Sequence, residues 1–167
     1  SDAEACIIDD IINAMKVHAD NANVQMSACK ALWGLAFQND DNQDRIANSG
    51  GIEAIVKAMK AHKSTIEIQE TACIALKDIG CRDENKDKLV CAGSVKAILT
   101  AMKTYPKSVE VQVQACDALC ILDQVEEIVT TGGIKTIIAA MKSHPDVFIL
   151  QRHACKTLRN IAIDKTY

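Results

Sequence analysis

Apolar residues recur at helical spacing along this chain, and short polar clusters separate one run from the next. Ile8, Ile11, Ile12 and Met15 share one face of a helix predicted over 7–17, because residues three and four apart stack on the same side. Asp20-Asn21-Ala22-Asn23 then supplies turn and N-cap chemistry. A longer helix follows over 24–37, with Val24, Ala28, Ala31, Leu32 and Leu35 as its apolar stripe. The same reading places helices over 44–48, 52–61 and 65–79, over 84–92, 95–104 and 109–122, and over 134–143 and 146–162. Ser49-Gly50-Gly51, Gly93-Ser94 and Gly132-Gly133 stand at the corners before three of them. Glycine admits positive φ and close backbone approach, which a sharp helix-to-helix corner requires.

Within this pattern one cassette occurs four times: Ala-Met-Lys, then an aliphatic residue and Gln, then Ala-Cys. Its copies run from Ala14-Met15-Lys16 to Gln25 and Cys29, from Ala58-Met59-Lys60 to Gln69 and Cys73, from Ala101-Met102-Lys103 to Gln112 and Cys116, and from Ala140-Met141-Lys142 to Gln151 and Cys155. Lys to Gln is always nine residues, whereas successive glutamines are 44, 43 and 39 residues apart. The shortfall falls between Leu122 and Gly132, so the fourth unit has an abbreviated first helix or a deleted leading loop. A fixed period of this length is the mark of a solenoid, in which each unit packs only on its neighbours. We divide the single domain 1–167 into a partial unit (1–39), two full units (40–81 and 82–122) and a fourth with the short first helix (123–167). The first unit begins at its second helix and the last ends on an apolar long helix. The chain is therefore expected to be part of a longer array or to associate end to end.

Composition narrows the function classes. There are five aromatic residues, Trp33, Phe37, Tyr105, Phe148 and Tyr167, and the formal net charge is −3. Few stacking platforms and no global basic footprint argue against nucleic-acid binding. No apolar run approaches the length of a membrane span. Four of the eight cysteines, Cys29, Cys73, Cys116 and Cys155, hold one repeat position, which suits a buried small residue better than a disulfide framework. The expected location is intracellular and cytoplasmic, with the nucleus open. His18, His62 and His144 share a second position with Tyr105 and read as helix C-terminal residues, too far apart from unit to unit to share a metal. Cys116 and Cys120, four apart, could form half of a zinc site, but nothing completes it. Cys81 and Cys91 are the best candidates for reactive thiols. No phosphate loop, dinucleotide fingerprint, nucleophile elbow or zinc-protease motif is present, so neither a cofactor nor a catalytic activity is expected. The glutamines could bond backbone groups between helices, or the equivalent glutamines on the next unit. The cassette lysines default to compensating helix dipoles.

Three helices per unit, a period of about 42 and a glycine corner before the second helix resemble the armadillo repeat. The likeness is carried by Ile46-Ala47-Asn48-Ser49-Gly50-Gly51-Ile52, Val90-Cys91-Ala92-Gly93-Ser94-Val95 and Ile128-Val129-Thr130-Thr131-Gly132-Gly133-Ile134, and by the long-helix run from Val24 to Ala36. It implies an all-α, right-handed α-solenoid whose long third helices line a concave groove for an extended peptide or protein segment. Importin-type arrays place Trp early on that helix and Asn four residues later. Here the Trp positions hold Lys30, Ile74, Asp117 and Lys156, and the Asn positions hold Gly34, Asp78, Ile121 and Asn160. Only Asn160 matches, so a nuclear-import role is not expected, and the continuous basic row of catenin-type arrays is missing too. Helix spacing instead gives a mixed strip. Met26, Lys30, Trp33, Gly34 and Phe37 lie on the first long helix; Glu70, Ile74, Lys77, Asp78 and Cys81 on the second; Val113, Asp117, Cys120 and Ile121 on the third; and Arg152, Lys156, Arg159 and Asn160 on the last. Met26, Trp33 and Phe37 make an apolar-aromatic end and Arg152, Lys156 and Arg159 a basic end. The expected function is a protein-interaction scaffold, with a self-associating architectural segment or a nucleic-acid-binding repeat as alternatives.

Overall fold

A computed structural model describes residues 2–163, with side chains from Cys6 onward. Among them are eleven α-helices in chain order: α1 Asp2–Val17, α2 Ala22–Ala36, α3 Asp40–Asn48, α4 Gly51–Ala61, α5 Ile66–Ile79, α6 Lys86–Ala92, α7 Ser94–Thr104, α8 Val109–Leu122, α9 Val125–Thr130, α10 Gly133–Ser143 and α11 Phe148–Ile163. A 3-10 turn, Asp83–Asn85, leads into α6. No strand occurs among the described residues, and the whole is an all-α solenoid. The long helices α2, α5, α8 and α11 form one row, and the middle helices α1, α4, α7 and α10 form a second row against it.

Local chemistry explains where the helices depart from their predicted bounds. α3 starts four residues before 44 because Asn39 caps it, its side chain accepting the Asn42 N–H, with Asp40 and Asp41 on the positive end of the helix dipole. The last long helix starts two residues after 146, because the Val147 N–H turns back to the His144 carbonyl at 3.2 Å. α9 has only six residues. Asp123, which closes α8 at φ 51°, turns the chain directly into it.

The corners depend on paired small residues. Gly50 sits at φ 84°, a left-handed value that other residues reach only at a cost. The next residue, Gly51, is buried, and a Cβ there would lie 2.8 Å from the Ile46 carbonyl oxygen and closer still to the Ile46 side chain. The third unit carries Ser94 at this place, fully buried and with its hydroxyl unpartnered.

Each cassette glutamine settles where one middle helix ends. Gln69 Nε2 donates to the Met59 carbonyl at 3.1 Å and to the His62 carbonyl at 3.0 Å. Gln25 does the same to Met15 and His18, Gln112 to Met102 and Tyr105, and Gln151 to Met141 and His144. Of the two arrangements open from the sequence, the glutamines bond backbone groups between helices and not one another. The histidine position does more than end a helix. His62 Nε2 bonds the Ala19 carbonyl at 2.7 Å, and His144 Nε2 the Pro106 carbonyl at 2.9 Å. The Tyr105 hydroxyl donates to the Lys63 carbonyl at 2.9 Å. Each of these ties a unit to the one before it.

The core is one continuous column of Ile, Leu, Val, Ala, Met and Cys running from Ile8 to Ala154. Cys29, Cys73 and Cys116 are wholly enclosed, and burial pushes their thiols up to about 12. Cys155 departs from the expectation for its position: it is exposed, because no described element packs on that side of α11. Phe148, at 79% exposure, Ile149 and Ile163 are also open on this helix.

Two substitutions test these devices. Gly51→Ala should destabilise the chain by about 1–3 kcal/mol through overpacking against Ile46, read as a fall in the urea midpoint with an unchanged slope. Gln69→Ala leaves two helix-end carbonyls without their donor inside the structure, at about 1–3 kcal/mol each. The corresponding drop in thermal midpoint should therefore exceed that of an exposed helix-surface substitution such as Lys57→Ala.

Candidate functional site on the long helices

The long helices pack closely on one another along the whole row, whereas the middle helices touch less and leave pockets between them. A stack that is tight in one row and open in the other bends towards the tight one, so the long-helix row is the inner, concave layer.

The residues anticipated for this layer fall on α2, α5, α8 and α11, except Phe37 and Cys81, which lie just past the ends of α2 and α5, and their exposure is uneven. At the α2 end Lys30 and Gly34 are exposed and Phe37 is 56% exposed. Met26 and Trp33 are half-buried against the core, and the Trp33 indole Nε1 is buried without a hydrogen-bond partner. Trp33 is thus mainly a packing residue with one polar edge unsatisfied. On α5, Glu70, Ile74 and Lys77 are half-buried. Asp78 corrects the expectation of an exposed strip: it is 8% exposed, with Oδ2 unpartnered. Cys120 on α8 is likewise buried, while Asp117 and Ile121 stay half-exposed. Arg152, Lys156 and Arg159 on α11 are exposed. Asn160, the one match to the importin-type position, is already engaged: its Nδ2 donates to Asp123 Oδ1 at 2.8 Å, and Arg159 donates to its Oδ1 at 3.4 Å.

In the middle of the row a polar network crosses three helices. Lys77 Nζ lies 3.4 Å from both Asp78 Oδ1 and Asp117 Oδ2. Burial works against the Lys77 charge, but the two carboxylates outweigh it and hold the ammonium above its ordinary range. Asp117 Oδ1 is in turn 3.3 Å from His153 Nδ1, close but not aligned for a hydrogen bond. Arg152 Nη2 approaches His153 Nε2 at 3.1 Å. Because a guanidinium only donates, Nε2 is the acceptor and the proton sits on Nδ1 facing Asp117. The imidazole is 7% exposed. Burial lowers its proton affinity, Asp117 opposes this, and Arg152, Lys156 and Lys77 add to it. His153 and Asp117 are 36 residues apart in the chain, and only the stacking of α11 on α8 brings them together. The available signal was the register of His153 with Ser27, Thr71 and Gln114, all polar.

The Glu70 carboxyl is shifted upward by burial and then by Glu110 and Glu67, so this stretch of the row is acidic. A second network clips first helices together. Arg82 bonds both oxygens of Asp44 and one of Asp40, and Asn85 Nδ2 bonds Asp44 and the Ile79 carbonyl. Cys81, anticipated as reactive, is not activated: burial, then Asp78, push its thiol upward. All eight cysteines are free. Among the described residues no group of three or more His, Cys, Asp or Glu side chains could hold a metal ion, and no helix is long and apolar enough to cross a membrane.

With this geometry in hand, comparison with known proteins defines the class. Two engineered proteins solved as structural-genomics targets are each 25% identical over 93% of this chain, with TM-scores of 0.78 and 0.79; the chain spans 62% of one and 37% of the other. A designed armadillo repeat protein in complex with the peptide (KR)4 matches 96% of this chain at TM-score 0.80 and 19% identity, and the chain spans 66% of it. No protein-family profile matches the sequence, and none of the curated proteins is similar to it. The chain has an armadillo-like repeat fold.

The His153 environment predicts a pH dependence. A base whose proton affinity is lowered by folding is protonated more readily when unfolded, so its contribution is intact above the ordinary imidazole value of 6.5 and is lost as pH falls through the folded value. Urea unfolding at pH 7.5 and at successively lower pH should show stability falling below about 6.5, and His153→Gln should flatten that fall.

Proposed function

We propose that this chain is a protein-interaction scaffold that grips an extended peptide or protein segment along the concave row of α2, α5, α8 and α11. The observation that carries the reading is the pair of open ends on that row. Phe37 stands more than half exposed at one end. At the other end none of Arg152, Lys156 and Arg159 is within ion-pair distance of a carboxylate among the described residues. Aromatic residues and arginine are enriched where binding energy concentrates, and the central Lys77–Asp117–His153 network is a rigid polar floor between the two ends. A designed protein of similar fold is in complex with (KR)4, an alternating basic peptide. This chain's row ends in cations, so its ligand carries acidic residues over α11 and an apolar or aromatic residue over α2. The reading involves no catalytic step and no cofactor. Eight free cysteines support an intracellular, reducing location.

A peptide library displayed on phage and selected on the folded chain tests this. Selected peptides should be acidic at the α11 end, and both Phe37→Ala and the pair Lys156→Glu with Arg159→Glu should weaken them by roughly tenfold or more. Selected peptides that bind all these variants as well as the parent chain would overturn the reading.

A further inference from the structure

The opposite face of the solenoid carries a second feature that the concave row does not use. The middle helices α4, α7 and α10 hold six lysines, Lys57, Lys60, Lys96, Lys103, Lys135 and Lys142, and one carboxylate, Glu53. All six lysines are exposed, and among the described residues none is within ion-pair distance of a carboxylate. In a chain of net charge −3 this concentrates positive charge on these three helices, whereas α1 in the same row presents Asp9 and Asp10 and Glu127 of α9 lies near Lys96. The layer is also pitted. Between α4 and α7 a pocket of about 250 Å³ has a rim of Lys60, Lys63 and Lys96 over a floor of Met59, Ala97 and Ala101. One unit further on, between α7 and α10, the same construction recurs at about 240 Å³, with Lys103 and Lys135 over Met102 and Ala140. Between α1 and α4 it is almost closed, at about 20 Å³. The threonines beside the first pocket are already used: Thr100 and Thr104 hydroxyls donate to the Lys96 and Thr100 carbonyls at 2.7 and 2.8 Å. Lys60 Nζ spends one of its three donors on the Ala92 carbonyl at 3.4 Å, and the other rim donors are those of the lysine ammoniums.

We infer that this convex face is a second docking surface, which takes an extended acidic peptide with an apolar side chain in each of the two pockets. Charge complementarity selects the acidic residues, and the apolar floors select what lies between them. Neighbouring units stack at about 8–10 Å, close to one turn of a polyproline II chain, three residues at ~3.1 Å each, which returns the side chain to the same face, so the apolar side chains fall at every third position. Nucleic acid fits less well. The three helices carry no arginine for bidentate phosphate contacts and no aromatic residue for base stacking. The surface lies on the opposite layer from the concave row and does not depend on the function proposed for it.

Fluorescence anisotropy on the full chain tests the inference, using a labelled peptide of repeated Asp-Asp-Leu and a control of the same composition with all its leucines at one end. Saturable binding of the first, weakened by salt and at least several-fold tighter than that of the control, is expected. Lys60→Glu with Lys96→Glu should weaken it by roughly tenfold or more, and Lys103→Glu with Lys135→Glu similarly, each measured with Lys156→Glu and Arg159→Glu also present so that the basic end of the concave row does not contribute. Thr100→Phe, which fills the first pocket, should weaken the leucine peptide but not poly-aspartate. Should a charge-reversed variant lose its helical circular dichroism, Lys→Gln at the same positions reads the same contact with a smaller change. The inference fails if no saturable binding occurs, if the control peptide binds equally, if the α11 variant alone abolishes binding, or if duplex DNA or phosphatidylserine vesicles bind more tightly and displace the peptide.

Discussion

A helix that stops inside a stack leaves carbonyl groups that water cannot reach, and in this chain one amide per unit takes two of them. Gln25, Gln69, Gln112 and Gln151 each reach back ten and seven residues to the end of the preceding middle helix. The amide carries two donors in one plane, so it fixes both where the middle helix ends and how the long helix crosses it. A shorter side chain would not span the distance, and a charged one would have to be buried with its charge. The four repetitions give each unit the same internal angle, and His62, Tyr105 and His144 then pin that unit to the backbone before it. The regular rows of helices follow from these two contacts acting together with the apolar column.

Once the units are held this way, the two layers are free to differ chemically. The inner layer couples neighbouring helices through side chains of opposite sign, from Lys77 to Asp117 and on to His153. These groups are only partly shielded, so each pair adds little stability by itself. Their effect is to fix rotamers and give the row a defined polar pattern. The outer layer keeps its lysines apart and its pockets open, because middle helices that diverge cannot fill the space between them. One scaffold can thus present two surfaces of different character without a change in its packing.

Much of the architecture was legible in local terms. The apolar spacing located the helices, and the glycine corners located the bends, since Gly50, Gly93 and Gly132 all adopt the left-handed backbone that such corners demand. Boundaries shifted where a cap or turn intervened, at Asn39 before α3 and at Val147 before α11. The candidate strip was legible as positions but not as a surface. Asp78 and Asn160 fall on it by helical spacing, yet one is enclosed and the other is held by Asp123. Cys155 shows the same limit from the other side: its position is a packing position, and among the described residues it is exposed.

The sequence by itself therefore determined the repeat, its period, where the fourth unit is shortened and most of the apolar positions that face inward on each helix. These depend on interactions within about ten residues, which spacing records. Only the tertiary structure decided which residues meet across units, such as Tyr105 with Lys63, His153 with Asp117 and Lys60 with Lys96 around one pocket. Those pairs are separated by about one period or less, and whether they touch depends on how far each helix is offset along its neighbour. That offset comes from the packing of whole helices, which no local pattern of residues contains.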